Sequence, residues 1–165
     1  MRRSIRTPLA LAAVTAAATA ALIAPATAAG AASAPGAQTP VVKPSVRLWG
    51  PYFSANGKAR ATGTIQRYWT SDHTDVLRVR GRLWDLDYRT LWQGGKCAYV
   101  QFQVKYLGEP PVWKQAAAYK LCDAGKYREI DFTRYGVLKL RIRVSQIGLY
   151  DNKVVDRGVW RTFTF

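Results

Sequence analysis

From residue 58 onward the chain alternates apolar and polar positions in short runs. Ala59, Ala61, Gly63 and Ile65 alternate with Lys58, Arg60, Thr62, Thr64 and Gln66. Leu77, Val79, Gly81 and Leu83 alternate with Arg78, Arg80, Arg82 and Trp84. Ala98, Val100, Phe102, Val104 and Tyr106 alternate with Tyr99, Gln101, Gln103 and Lys105, and Leu138, Leu140, Ile142 and Val144 with Lys139, Arg141 and Arg143. A period of two is that of strands with one buried and one wet face. Shorter strands are predicted at 115–121, 126–132 and 159–165, and no window has the apolar spacing of a helix. Turn residues separate the runs: Asn56-Gly57, Gly94-Gly95, Gly108-Glu109-Pro110-Pro111, Asp123-Ala124-Gly125 and Asp151-Asn152. The pattern predicts an all-β domain, a single antiparallel β-sandwich of about seven strands, with a small β-barrel as the alternative.

The wet sides of two of these strands are unusually cationic. VLRVRGRLW (Val76–Trp84) and VLKLRIRVS (Val137–Ser145) place a basic residue at alternate positions. Their flanks do not keep a common register, so they read as two similar amphipathic strands rather than as an internal repeat. If Arg78, Arg80 and Arg82 share a face with Lys139, Arg141 and Arg143, six charges make a strong positive field. Like charges directly opposite are destabilising, so the glutamine-bearing strand Tyr99–Lys105 is expected between the two, with Trp84 and Tyr99 at one end. Arginine grips phosphate and carboxylate two-pronged and stacks on aromatic rings, so the expected partner is an acidic polymer or envelope surface. The bland reading is a solvated strand face that resists aggregation and keeps the protein soluble. Whether the two strands share a face, and whether Asp or Glu neutralise them, decides between these.

The segment before the domain has the layout of a secretory signal. Arg2, Arg3 and Arg6 precede an apolar run from Leu9 to Ala24, and Ala26-Thr27-Ala28 supplies a small-x-small cleavage pattern. The run is short for a membrane span, which needs about 20 residues. The arginine pair suggests twin-arginine export only weakly, because no bulky apolar residue follows where that signal has one. Residues 1–28 are therefore expected to be a signal peptide, 29–45 a flexible Ala/Pro-rich linker and 46–165 the folded domain. Three of the 25 Lys and Arg leave with the signal, so the mature chain carries 22 against 10 Asp and Glu, a net charge of +12. No membrane span is expected in the mature chain, and the product is expected to be a secreted monomer. The Ala-rich leader and the preference for Arg over Lys resemble those of small exported proteins of high-GC actinobacteria. The resemblance is compositional and covers the leader alone.

Cys97 and Cys122, the two cysteines, are expected to pair, as cysteines of exported chains do. Two thiols and one histidine are too few for a four-ligand zinc site, and no metal or cofactor is expected. His73 lies in a polar turn, Asp72-His73-Thr74-Asp75, and no motif places a nucleophile, so no enzyme activity is expected. Asp85 and Asp87, among Trp84, Tyr88 and Trp92, suggest a glycan contact or, less well, a pair of catalytic carboxylates. Carboxylates two apart on one strand are not the facing pair that flanks a glycosidic bond, and a turn with core tryptophans explains the stretch. The stiff loop Gly108–Trp113, centred on Pro110 and enclosed by the cysteines, suits an inhibitor or interaction protein for an extracellular hydrolase.

Overall fold

The computed structural model describes residues 45–165, and the expected signal peptide and nearly all of the expected linker lie outside them. In chain order the strands are β1 (Ser45–Phe53), β2 (Ala59–Trp69), β3 (Asp75–Asp85), β4 (Cys97–Tyr106), β5 (Lys114–Leu121), β6 (Tyr127–Tyr135), β7 (Val137–Ile147), β8 (Val154–Val155) and β9 (Arg161–Thr164). They form two antiparallel sheets. The first runs β1-β2-β3-β6; the second runs β5-β4-β7, with β8 and β9 both on the far side of β7. Neither sheet closes on itself, so the fold is a sandwich and not a barrel. No helix among the described residues is long and apolar enough to cross a membrane.

Seven of the nine strands are those the alternation predicts. β1 is missed because its pattern is broken: Val46 and Leu48 are exposed, Trp49 is buried, and the register shifts between Trp49 and Tyr52. β8 is two residues long and too short to leave a period. Ser45 already belongs to β1, one residue before the expected domain start.

The apolar sides of the strands meet between the sheets. Ile65, Val79 and Leu83 of the first sheet and Val100, Leu140 and Ile142 of the second are each at most 1% exposed. Phe102 stands at the centre, its ring edge-on to Trp49 at 5.7 Å and to Phe132 at 5.0 Å between centroids. Such edge-to-face pairs suit the quadrupoles of the rings as well as the packing. Trp49, Gly63, Gly81 and Ile130 fall in one row across the first sheet. The Trp49 indole reaches over Gly81, where an added Cβ would lie 2.7 Å from Trp49 Cζ2. Gly81 makes room on the inner face for the largest buried side chain, and Gly63 lets the β2 and β3 backbones approach closely.

Cys97 and Cys122 are bridged, with Cα atoms 4.2 Å apart. They sit beyond the pair Ala98↔Leu121, so the bridge locks the open end of the β4–β5 hairpin. Closing a loop of this size contributes up to about 3 kcal/mol in the chain-entropy model. Reduction should therefore lower the free energy of unfolding by about 2–3 kcal/mol. Denaturant titration with and without reductant checks this, and an unchanged midpoint would show that strand pairing alone holds the hairpin. Alkylation of the unreduced protein should label neither cysteine.

Candidate functional site

The structure separates the two cationic strands. β3 lies within the first sheet, between β2 and β6, while β7 lies in the second, between β4 and the pair β8 and β9. Their basic side chains leave from opposite outer faces of the sandwich, because the apolar side of each strand points at the other sheet. The expected six-charge face does not form. β4, with its glutamines, borders β7 but not β3, and Trp84 and Tyr99 stand on different sheets. The cause is chain order: β3 continues into β4 by crossing between the sheets, which alternation within each strand cannot reveal.

The first outer face is partly neutralised, with Glu129 and Asp131 set among Arg60, Arg78, Arg80 and Arg82. Arg78 donates from Nε and Nη2 to the two oxygens of Asp131 at 3.1 and 2.8 Å, and Arg80 Nε lies 3.5 Å from the same carboxylate. The bond from Arg78 holds the Asp131 carboxyl below, and the Arg78 guanidinium above, their ordinary values. Glu129 stands directly across from Arg82, whose guanidinium rests on the Tyr127 ring at 4.5 Å. Trp84 is covered by Arg60 at 4.4 Å. Cations here meet carboxylates and rings of their own sheet.

The second outer face is different. The five strands of the second sheet contain Lys105, Lys114, Lys120, Lys139, Arg141, Arg143 and Arg161 but no Asp or Glu. Lys114 pairs with Glu109 in the adjoining loop, and Lys120 donates to the carbonyls of Gly148 and Leu149 and to Asn152. Lys105, Lys139, Arg141 and Arg143 have no carboxylate partner among the described residues.

Aromatic rings and amides hold three of these cations, Lys105, Arg141 and Arg143, instead. Arg141 lies against two tryptophans, 4.3 Å from the Trp113 ring centre and 4.4 Å from that of Trp160. Arg143 meets Trp160 at 4.3 Å, and Lys105 meets Trp113 at 4.9 Å. Gln103 Oε1 accepts from both Nε and Nη2 of Arg141, and Gln101 Oε1 accepts from Nη2 of Arg143. The pairings Gln101↔Arg143 and Gln103↔Arg141 set each amide directly opposite its guanidinium. Burial pulls the Arg141 guanidinium below its ordinary pKa; burial, then the charges of Arg157 and Arg141, do the same to Arg143. Both remain cationic at neutral pH, as arginine does in proteins. Arg143 Nε and the next outward group on β7, the Ser145 hydroxyl, are buried without a partner among the described residues. Tyr99, half-buried, pairs with Ser145 at this end.

Of the eight residues expected to bind, Tyr99, Lys139, Arg141 and Arg143 therefore come together. Arg78, Arg80, Arg82 and Trp84 stand on the other face. Trp113 and Trp160 were not expected there. Trp113 belongs to the end of the proline-set loop, but its ring folds back onto Lys105 and Arg141. The legible signal was the absence of acid: none occurs between Asp87 and Glu109 or between Asp131 and Asp151.

Asp85 and Asp87 line a cavity of about 210 Å3 beside the disulfide, with Arg89, Thr90 and Lys96. Both carboxylates are buried. Asp87 accepts from Arg89 Nε and Nη2 at 2.8 and 2.7 Å, from Gln146 Nε2 and from the Lys96 amide, with Lys58 Nζ at 3.4 Å. Asp85 accepts the Asp87 amide and has no cationic partner among the described residues. These are the bonds of a turn anchored inside the fold. Trp92, by contrast with the expected core tryptophan, is 99% exposed. His73 lies in the β2–β3 turn that Thr70, Asp72 and Thr74 tie together.

No family model matches the chain, and no curated protein matches it.

Proposed function

We propose that the domain is an exported, non-enzymatic binding module. It holds anionic polymers of the cell envelope or its surroundings on the outer face of the second sheet. The observation that supports this reading is the charge division: a sheet with seven Lys and Arg and no Asp or Glu, where only Lys114 has a carboxylate partner among the described residues. Guanidinium groups held between rings keep their geometry in the absence of a ligand, so little ordering is needed on binding. A protease-directed role for the Pro110 loop has less support, since Trp113 is committed to the sheet and Glu109 to Lys114.

Two matched variants test the reading. R141Q/R143Q removes two charges from the second sheet, and R80Q/R82Q removes two from the first. Binding to an immobilised polyanion should fall on the order of tenfold for the former and less than twofold for the latter. Equal losses would mean that net charge alone is at work and that the face has no role of its own. Circular dichroism confirms that both variants remain folded.

A further inference from the structure

Resting on the polyanion reading, we propose that the second face takes a linear phosphodiester polymer without bases, laid along β7 with successive phosphates at Lys139, Arg141 and Arg143.

The first argument is register. These cations occupy alternate positions of one strand and so recur every two residues, about 6.6–6.8 Å. A two-residue step comprises six backbone bonds. A three-carbon diester repeat, P–O–C–C–C–O, also comprises six, so an extended chain of that kind keeps step with the strand. Lys105, paired with Lys139, widens one end of the track.

The second argument is that the rings are already occupied. Trp160 holds the Arg141 and Arg143 guanidiniums at 4.4 and 4.3 Å from its ring centre. Trp113 carries Arg141 and Lys105. Single-stranded nucleic acid is held by bases stacking on open aromatic faces, and sugars dock on them with their apolar side. Each tryptophan thus already carries two cations, with which a stacking base or sugar would have to compete.

The third argument is the donors that remain. Arginine has five N–H donors. Arg141 gives two to Gln103 and Arg143 one to Gln101, so most of each fork lacks an acceptor among the described residues. The Nε–Nη2 edge of Arg141, which a flat carboxylate would grip, is taken by Gln103. A tetrahedral phosphate, with acceptor oxygens in several directions, can engage the remaining edges.

The test is a titration of the exported protein with poly(glycerol phosphate), oligo(dT) and polygalacturonate at matched charge. Poly(glycerol phosphate) should bind at least about tenfold tighter than polygalacturonate, and oligo(dT) no tighter than poly(glycerol phosphate). Three phosphates engaged give a slope of log K against log salt of roughly −2, and K139Q should reduce its size by about 0.7. Tighter binding of oligo(dT), with quenching of tryptophan fluorescence, would overturn the base-free proposal while leaving the polyanion reading intact. Equal binding of polygalacturonate would overturn the diester register alone. Binding of none of the three would remove both.

Discussion

Alanine at Gly63 should destabilise the domain by about 4 kcal/mol or more. The new Cβ would point into the sandwich, 2.6 Å from the Gly81 Cα and closer still to the Arg80 carbonyl. Both are backbone atoms of β3, the paired central strand, and cannot swing aside as a side-chain tip would. Relief requires β2 and β3 to part, with loss of ladder bonds along an eleven-residue pairing. Gly81→Ala should behave similarly, because its Cβ would meet the Thr62 carbonyl and the Trp49 indole. Denaturant unfolding followed by tryptophan fluorescence measures both. A midpoint within about 0.5 kcal/mol of the parent for either would show that the row under Trp49 is looser than described.

Asp87→Asn should cost about 4 kcal/mol at neutral pH, while Asp85→Asn should be neutral or stabilising. The two carboxylates are two residues apart, yet their surroundings oppose each other. The Arg89 fork, with Gln146 and the Lys96 amide, holds the Asp87 carboxyl far below its ordinary value against the effect of burial. Asp87 also ends a chain of hydrogen bonds that runs from the buried Gln146 through Asn56 to Ser54, so its loss disturbs partners on several segments. Burial, then the neighbouring charge of Asp87, raises the Asp85 carboxyl despite the bond from the Asp87 amide. The pH dependences follow in opposite senses. The stability that Asp87 contributes is complete above the unfolded carboxyl value, near pH 4, and is lost as pH falls from there toward its depressed folded value. Asp85 ionises at a cost that grows as pH rises from the unfolded value to its raised folded one. Stability profiles of the two variants between pH 2 and 8 should therefore diverge with rising pH. Parallel profiles would refute the assignment.

The strands were legible because burial imposes a period of two on any strand with one wet face. Leu77, Val79, Gly81 and Leu83 face inward as their spacing requires, and so do Leu140, Ile142 and Val144. The hairpin at Asn56-Gly57 and the Cys97–Cys122 bridge were equally readable from local chemistry. The site was readable only in halves. Alternation tells which residues are wet, not which sheet they wet, and so Arg80 and Arg141 looked alike. What distinguishes them is their cross-strand neighbours, Asp131 for the one and Gln103 for the other. That pairing depends on contacts 51 and 38 residues away in sequence, which no local pattern encodes. Trp113 and Trp160 escaped for the same reason, since both enter the second face from connections and not from its central strands.

The uneven division of acid between the sheets gives the molecule a direction. Asp75, Asp85, Glu129 and Asp131 all belong to strands of the first sheet, and the second has none. Near an anionic surface such a body feels a torque as well as a pull, and it turns before it lands. The turning acts only within a Debye length, about 8–10 Å at physiological salt, so it governs the last step of approach and weakens as salt rises. A molecule settled in this way presents the Trp84 and Tyr127 side outward to the medium, every copy oriented alike.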